Sequence, residues 1–112
     1  MVTSKDRVRS ALLKAAAVVR IGWCQGALAR TELGSAVGPR SSSAVSWCAA
    51  GALEKICTST FDRNEARYVL YQVICRASIE DWNDIYAKDA EQVARTLEEA
   101  AEQVHRVLET SP

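Results

Sequence analysis

One histidine, one methionine, one phenylalanine and two prolines are spread through 112 residues, and fourteen basic side chains cancel fourteen acidic ones. Each shortage removes a class of chemistry. The single histidine, His105, allows no paired-histidine metal site, and nothing in the sequence brings it to a cysteine to activate a thiol. The cysteines Cys24, Cys48, Cys57 and Cys75 lie 24, 9 and 18 positions apart, so there is no Cys-x-x-Cys pair and no zinc-ribbon spacing. No phosphate-cradling glycine loop and no Gly-x-Ser-x-Gly elbow is present. No cofactor is expected. No apolar run approaches the roughly 20 residues needed to cross a bilayer, and the first residues lack the apolar core of a secretory leader. The reading is a chain without a membrane partner, cytoplasmic, with its thiols reduced. Zero net charge argues against nucleic acid as a partner.

That zero hides an uneven distribution. Residues 1–58 carry eight basic and three acidic side chains, a net +5, and residues 59–112 carry six and eleven, a net −5. Either the first half offers a basic surface to an anionic partner, or the halves pair within one domain. Pairing within one domain is the expectation.

What the chain has is a repeated motif. Trp23-Cys24-Gln25-Gly26-Ala27-Leu28 is echoed by Trp47-Cys48-Ala49-Ala50-Gly51-Ala52-Leu53, and the third tryptophan stands in Asp81-Trp82-Asn83-Asp84. If both Trp-Cys segments are helical, each glycine lies beside its tryptophan, where bare backbone admits an indole or a second helix. Such a recipe builds helix contacts. It also builds a recognition surface if Trp23, Trp47 and Trp82 converge. The candidate binding residues are therefore Trp23, Cys24, Trp47, Cys48, Trp82, Asn83 and Asp84, with no catalytic residue and no metal ligand assigned. A redox role for a Cys24–Cys48 pair is a weaker alternative.

Apolar periodicity supplies the fold class. Val8, Ala11, Leu12, Ala15, Val18 and Val19 stripe a helix over 5–21 with Ser4 as its N-cap. Its basic residues Arg7, Arg9, Lys14 and Arg20 flank that stripe without interleaved aromatics, which does not make a nucleic-acid surface. The Trp23–Arg30 segment reads as helical and ends near Gly34. Residues 34–43 form a Gly/Pro/Ser loop whose serines cap a helix over 44–57. Residues 63–77, apolar on nearly every side between Tyr68 and Cys75, read as the most central helix. A loop over 78–88 holds Trp82-Asn83-Asp84. Its acidic residues fail the calcium-loop register, because Tyr86 stands where a glycine is needed and Gln92 where a glutamate is needed. A looser cation site from Glu80, Asp81 and Asp84 is a minor alternative. Asp89-Ala90-Glu91-Gln92 then opens the last helix as a capping box, with Val93, Leu97, Ala100 and Val104 as its core stripe. The expectation is an all-α single domain, residues 1–112, built as a bundle of four main helices.

The order of these motifs resembles an uncharacterised family of small bacterial, notably actinobacterial, and phage proteins. The similarity runs over roughly residues 8–108. The chain departs from it after Trp82-Asn83-Asp84, where Asp89 replaces an expected threonine cap. The resemblance implies a helical fold and carries no activity. A helical binding module that works by protein–protein contact, with another protein or with itself, is the leading expectation. A small-molecule pocket or enzyme lined by the tryptophans, cysteines and Asn83-Asp84 is the alternative.

Overall fold

The computed structural model describes residues 2–110. Its framework is two long helices, α1 (Ser4–Ile21) and α5 (Ala90–Thr110), packed along one another. Helix α1 starts one residue earlier than its stripe suggests, because Thr3 and Asp6 form a reciprocal box. The Thr3 hydroxyl accepts the Asp6 N–H at 3.1 Å and the Asp6 carboxylate accepts the Thr3 N–H at 3.2 Å. Thr3 is the cap and Ser4 the first helical residue. At the start of α5 the Asp89 carboxylate accepts the Gln92 N–H at 2.8 Å, while the Gln92 side-chain Oε1 accepts the Lys88 N–H at 2.7 Å.

The facing stripes are narrow, small and fully apolar. Val8, Leu12, Ala15 and Val19 of α1 meet Val93, Leu97, Ala100 and Val104 of α5, and all are buried. Alanine at the contact lets the backbones approach closely, and the larger side chains fill the gaps between turns. The basic flank of α1 and the acidic flanks opposite it are then brought together. Lys5 pairs with Glu109 at 3.5 Å, Arg7 with Asp62 at 3.0 Å, and Arg20 with both Glu91 at 2.9 Å and Glu98 at 2.6 Å. The uneven charge of the two halves is thus used within the domain. These exposed pairs orient the helices and are open to salt screening.

Two further helices complete the core. Helix α2 (Ala49–Ile56) lies against α1, and α3 (Thr60–Ile74) lies against α5 and α1. Helix α3 is not the central element its composition suggests. Only Ala66, Val69 and Leu70 are buried, while Phe61, Tyr68 and Tyr71 face solvent. Tyrosine tolerates this because its ring is apolar and its hydroxyl is wet. The α1–α5 pair holds the middle of the core instead.

The largest departure from the helical reading lies between residues 22 and 48. Neither Trp23–Arg30 nor residues 44–48 are helical. They form a small three-stranded antiparallel sheet of two-residue strands, β1 (Ala29–Arg30), β2 (Ala36–Val37) and β3 (Ser46–Trp47), in the order β2-β1-β3. Ala29 faces Val37 on one side and Trp47 on the other. Gly34, expected to end a helix, sits at φ 90° in the β1–β2 turn, where its N–H reaches the Thr31 carbonyl at 2.9 Å. The serines of residues 41–43 cap nothing downstream. Cys48 is the N-cap of α2, its Sγ accepting the Gly51 N–H at 3.3 Å. Residues 78–88 are more ordered than a loop. They hold one helical turn, α4 (Ile79–Asp81), which runs directly into a π-helical turn over Trp82–Tyr86.

Candidate functional site: a buried asparagine clasp

The two Trp-Cys segments meet as strands. Trp23 and Trp47 form a single parallel bridge, in which Trp47 N–H donates to the Gly22 carbonyl at 3.0 Å and Cys24 N–H to the Trp47 carbonyl at 3.3 Å. Glycine permits the approach. A Cβ on Gly22 would stand 2.2 Å from the Val45 carbonyl oxygen. A Cβ on Gly51 would stand 1.9 Å from the Leu28 carbonyl oxygen, which also receives the Cys48 N–H at 3.1 Å. The second-motif glycine therefore does admit a close neighbour, but that neighbour is the backbone of the first motif rather than an indole. Gly26 serves the turn itself, at φ 79°.

A parallel ladder would continue with Ala49 N–H donating to the Cys24 carbonyl. Here the Asn83 side chain is inserted in that rung. Its Oδ1 accepts the Ala49 N–H at 3.0 Å and its Nδ2 donates to the Cys24 carbonyl at 3.1 Å. The remaining capacity is also used. Oδ1 accepts the Trp23 indole N–H at 2.8 Å, and Nδ2 donates to Asp84 Oδ1 at 2.9 Å. Four bonds exhaust what a carboxamide can make. Asn83 is fully buried, so the full complement is needed to offset its desolvation.

The π-helical turn delivers this side chain. The Ala87 N–H bonds the Trp82 carbonyl at 2.9 Å, five residues back, and the wider turn carries the buried Trp82 and Asn83 inward. Asp84 leaves on the outer side, and its Oδ1 also takes the Gly26 N–H at 3.0 Å. Gln25 closes the other flank by donating to the carbonyls of Asn83 at 3.0 Å and Asp84 at 3.2 Å. Arg30 holds the same turn by donating to the Gln25 carbonyl at 3.0 Å.

The structure thus gathers Trp23, Cys24, Ala49 and Asp84 around the Asn83 carboxamide, with Cys48 one residue before Ala49. Trp47 and Trp82 share the surrounding core, both buried, and Trp23 is half-buried against it. The Trp47 indole N–H donates to the Pro39 carbonyl at 2.9 Å, with the Lys55 ammonium 5.1 Å over its ring. Burial pushes the Cys24 and Cys48 thiols up from their ordinary value, and does the same for Cys57. Cys75, at the end of the stretch read as the most central helix, is the exposed left-handed cap of α3 at φ 56°. His105 is exposed on α5. Glu80 is engaged by Arg67 at 2.9 Å and Asp84 by the clasp, and among the described residues no three His, Cys, Asp or Glu side chains are placed to hold a metal ion.

A second feature escaped the sequence reading. On the outer face of α3, Phe61, Tyr68 and Tyr71 are 59%, 38% and 47% exposed. Beside them lies an open hollow of about 410 Å³ lined by Asn64, Arg67, Tyr68, Tyr71, Ser78 and Ile79. The available signal was the spacing 61, 64, 68, 71, which puts these residues on one helical face.

Fold and clasp together define a small helical domain in which one buried carboxamide ties two chain segments to a third. The chain belongs to a family of unknown function, DUF6197, whose model matches residues 3–103. That span includes every residue of the clasp. No curated protein and no solved structure matches the chain. No helix among the described residues is long and apolar enough to cross a membrane.

Proposed function

We propose that the protein is a small helical binding module that works by protein–protein contact, and that the outer face of α3 is the contact surface. The observation that carries this reading is the aromatic stripe of Phe61, Tyr68 and Tyr71 beside an open hollow. Half-exposed aromatic rings on a regular helix are strong anchors, because they bury much area for little lost rotamer freedom. Trp23, Cys24, Gln25, Asn83 and Asp84 of the Trp-Cys and Trp-Asn-Asp motifs bond one another, so in this reading they hold the scaffold. At about 150–250 Å² per aromatic ring, three half-exposed rings offer roughly 300 Å². A standard interface takes about 800 Å² from each partner. That shortfall favours a short apolar segment of another protein, seated on the rings and in the hollow, over a second copy of this chain.

The test places a photo-crosslinking amino acid at Tyr71 in the producing cells, with a control at the exposed Glu102 of α5. The expected result is one adduct at Tyr71 that is absent at Glu102. The captured protein should then bind the purified Phe61→Ala/Tyr68→Ala variant at least about tenfold more weakly than the unaltered chain. Equal capture at both positions, no adduct, or an unchanged affinity overturns the reading. A self-adduct would replace the partner with a second copy.

The small-molecule alternative draws support from a different place. A hollow of about 260 Å³ is lined by Pro39, Arg40, Glu54, Cys57, Thr58, Ser59, Thr60 and Arg63. Native mass spectrometry of freshly purified protein, showing a retained ligand lost on Arg63→Ala, would move the reading there.

A further inference from the structure

The parallel bridge between Trp23 and Trp47 has a second consequence, which concerns the residues that follow. Cys24 and Cys48 are the next pair in register. Side chains of in-register residues on adjacent parallel strands lie on the same face, and the strands are about 4.8 Å apart. The pair lies between the last direct rung, from the Cys24 N–H to the Trp47 carbonyl, and the Asn83 carboxamide inserted between Cys24 and Ala49. Cysteine Cα atoms joined by a disulfide are about 4.4–6.8 Å apart. The register therefore brings the Cα atoms of this pair close to the range that a disulfide spans.

The side-chain environment agrees. The Ser46 hydroxyl offsets part of the burial that raises the Cys24 thiol, and Ser46 precedes Cys48 by two residues. A charge on the Cys24 thiol opposes one on Cys48. Cys57 follows α2 and Cys75 caps α3, so neither shares this junction.

We propose that Cys24 and Cys48 form a reversible dithiol–disulfide pair that locks the clasp on oxidation by a low-molecular-weight disulfide of the glutathione class. Cys24, the less covered of the two, gives up its proton and attacks one sulfur of the small disulfide. That S–S bond breaks and one small thiol leaves. Cys48, deprotonated in turn, attacks the Cys24 sulfur of the mixed disulfide and expels the second small thiol. Two protein thiols are oxidised to one disulfide, and one small disulfide is reduced to two thiols. The Cys48 sulfur keeps a lone pair for the Gly51 N–H, so α2 retains its cap, while the weak Cys24 contact to the Ala27 carbonyl at 3.7 Å is lost. The bridge closes a loop that contains all three strands. Burial of both thiols makes the exchange slow at neutral pH and faster in mild alkali.

The experiment equilibrates the folded, purified chain with reduced and oxidised glutathione in varying ratio. Free thiols are then trapped, and the protein is mapped by mass spectrometry, with melting temperature recorded in parallel. The expected product is an intramolecular Cys24–Cys48 bridge that raises the melting temperature by about 10 °C and is reversed by reductant. The Cys75→Ser variant should give the same bridge and the same rise, and Cys24→Ala or Cys48→Ala should lose both. Should either alanine variant fail to fold, the peptide map of the unaltered chain decides alone. Oxidation confined to Cys75, or a Cys24–Cys48 bridge that forms only in denaturant, overturns the proposal.

Discussion

Asn83→Ala removes the rung that joins three segments, and the cost follows from what is left behind. The Ala49 N–H lies in the fully buried start of α2 and would lose its acceptor, while the Cys24 carbonyl would lose its donor. A buried polar group left unsatisfied costs about 1–3 kcal/mol. The Trp23 indole N–H is half-buried, so water can replace part of that bond. Two orphaned backbone groups, together with the lost packing of a buried side chain, give about 3–6 kcal/mol. A domain of this size has about 5–15 kcal/mol to lose. Urea unfolding read by tryptophan fluorescence should therefore show a large fall in midpoint. The native baseline should also change, because Trp23 loses its hydrogen bond. A loss below about 1 kcal/mol would refute the reasoning, since it would mean that Ala49 and Cys24 find other partners or that the carboxamide is not inserted.

The other expectations bear on separate parts of the account. Asn83→Asp keeps the shape but sets a carboxylate oxygen against the Cys24 carbonyl and the Asp84 carboxylate, so the introduced carboxyl should titrate above its ordinary value. The folded state then holds a proton that the unfolded state has released, so stability should rise as pH falls from 7 towards 5, whereas a pH-independent loss would count against the geometry. Gly51→Ala should destabilise by more than about 2 kcal/mol in thermal unfolding, against alanine's helix preference of about 1 kcal/mol, because the Leu28 carbonyl lies 1.9 Å from the new Cβ. The Arg20 guanidinium, joined by that of Arg95, lowers the Glu91 carboxyl from 4.5 to about 2. Its stabilising effect should be present above pH 4.5 and fade as pH falls towards 2, and Arg20→Gln should return the carboxyl titration, followed by NMR, towards the ordinary range. Tyr71→Arg, on the exposed α3 face, should leave the melting curve within about 0.5 kcal/mol of the parent, and a larger loss would show that the ring is structural.

The parts of the fold legible in the sequence are those set by local periodicity. The stripes of α1 and α5 run over many turns and were readable from spacing alone, as was Asp89 at the start of the last helix. The sheet was not, because each strand is two residues long and its pairing is non-local. Alanine, leucine and glutamine in Trp23–Arg30 carry helical preference, which the rungs from Val45, Trp47 and Cys48 override. Helix α3 misled by composition, since Tyr68 and Tyr71 count as apolar yet sit at the surface. Asn83 could be singled out from its motif, but only the fold shows its carboxamide filling a gap between residues 24 and 49.

The insertion of Asn83 can be observed directly as a scalar coupling across the hydrogen bond, from the Ala49 amide nitrogen to the Asn83 side-chain carbonyl carbon. The account expects a resolved coupling, together with an Ala49 amide that exchanges with solvent only on global unfolding. No coupling, with Ala49 exchanging as fast as an exposed amide, would contradict it.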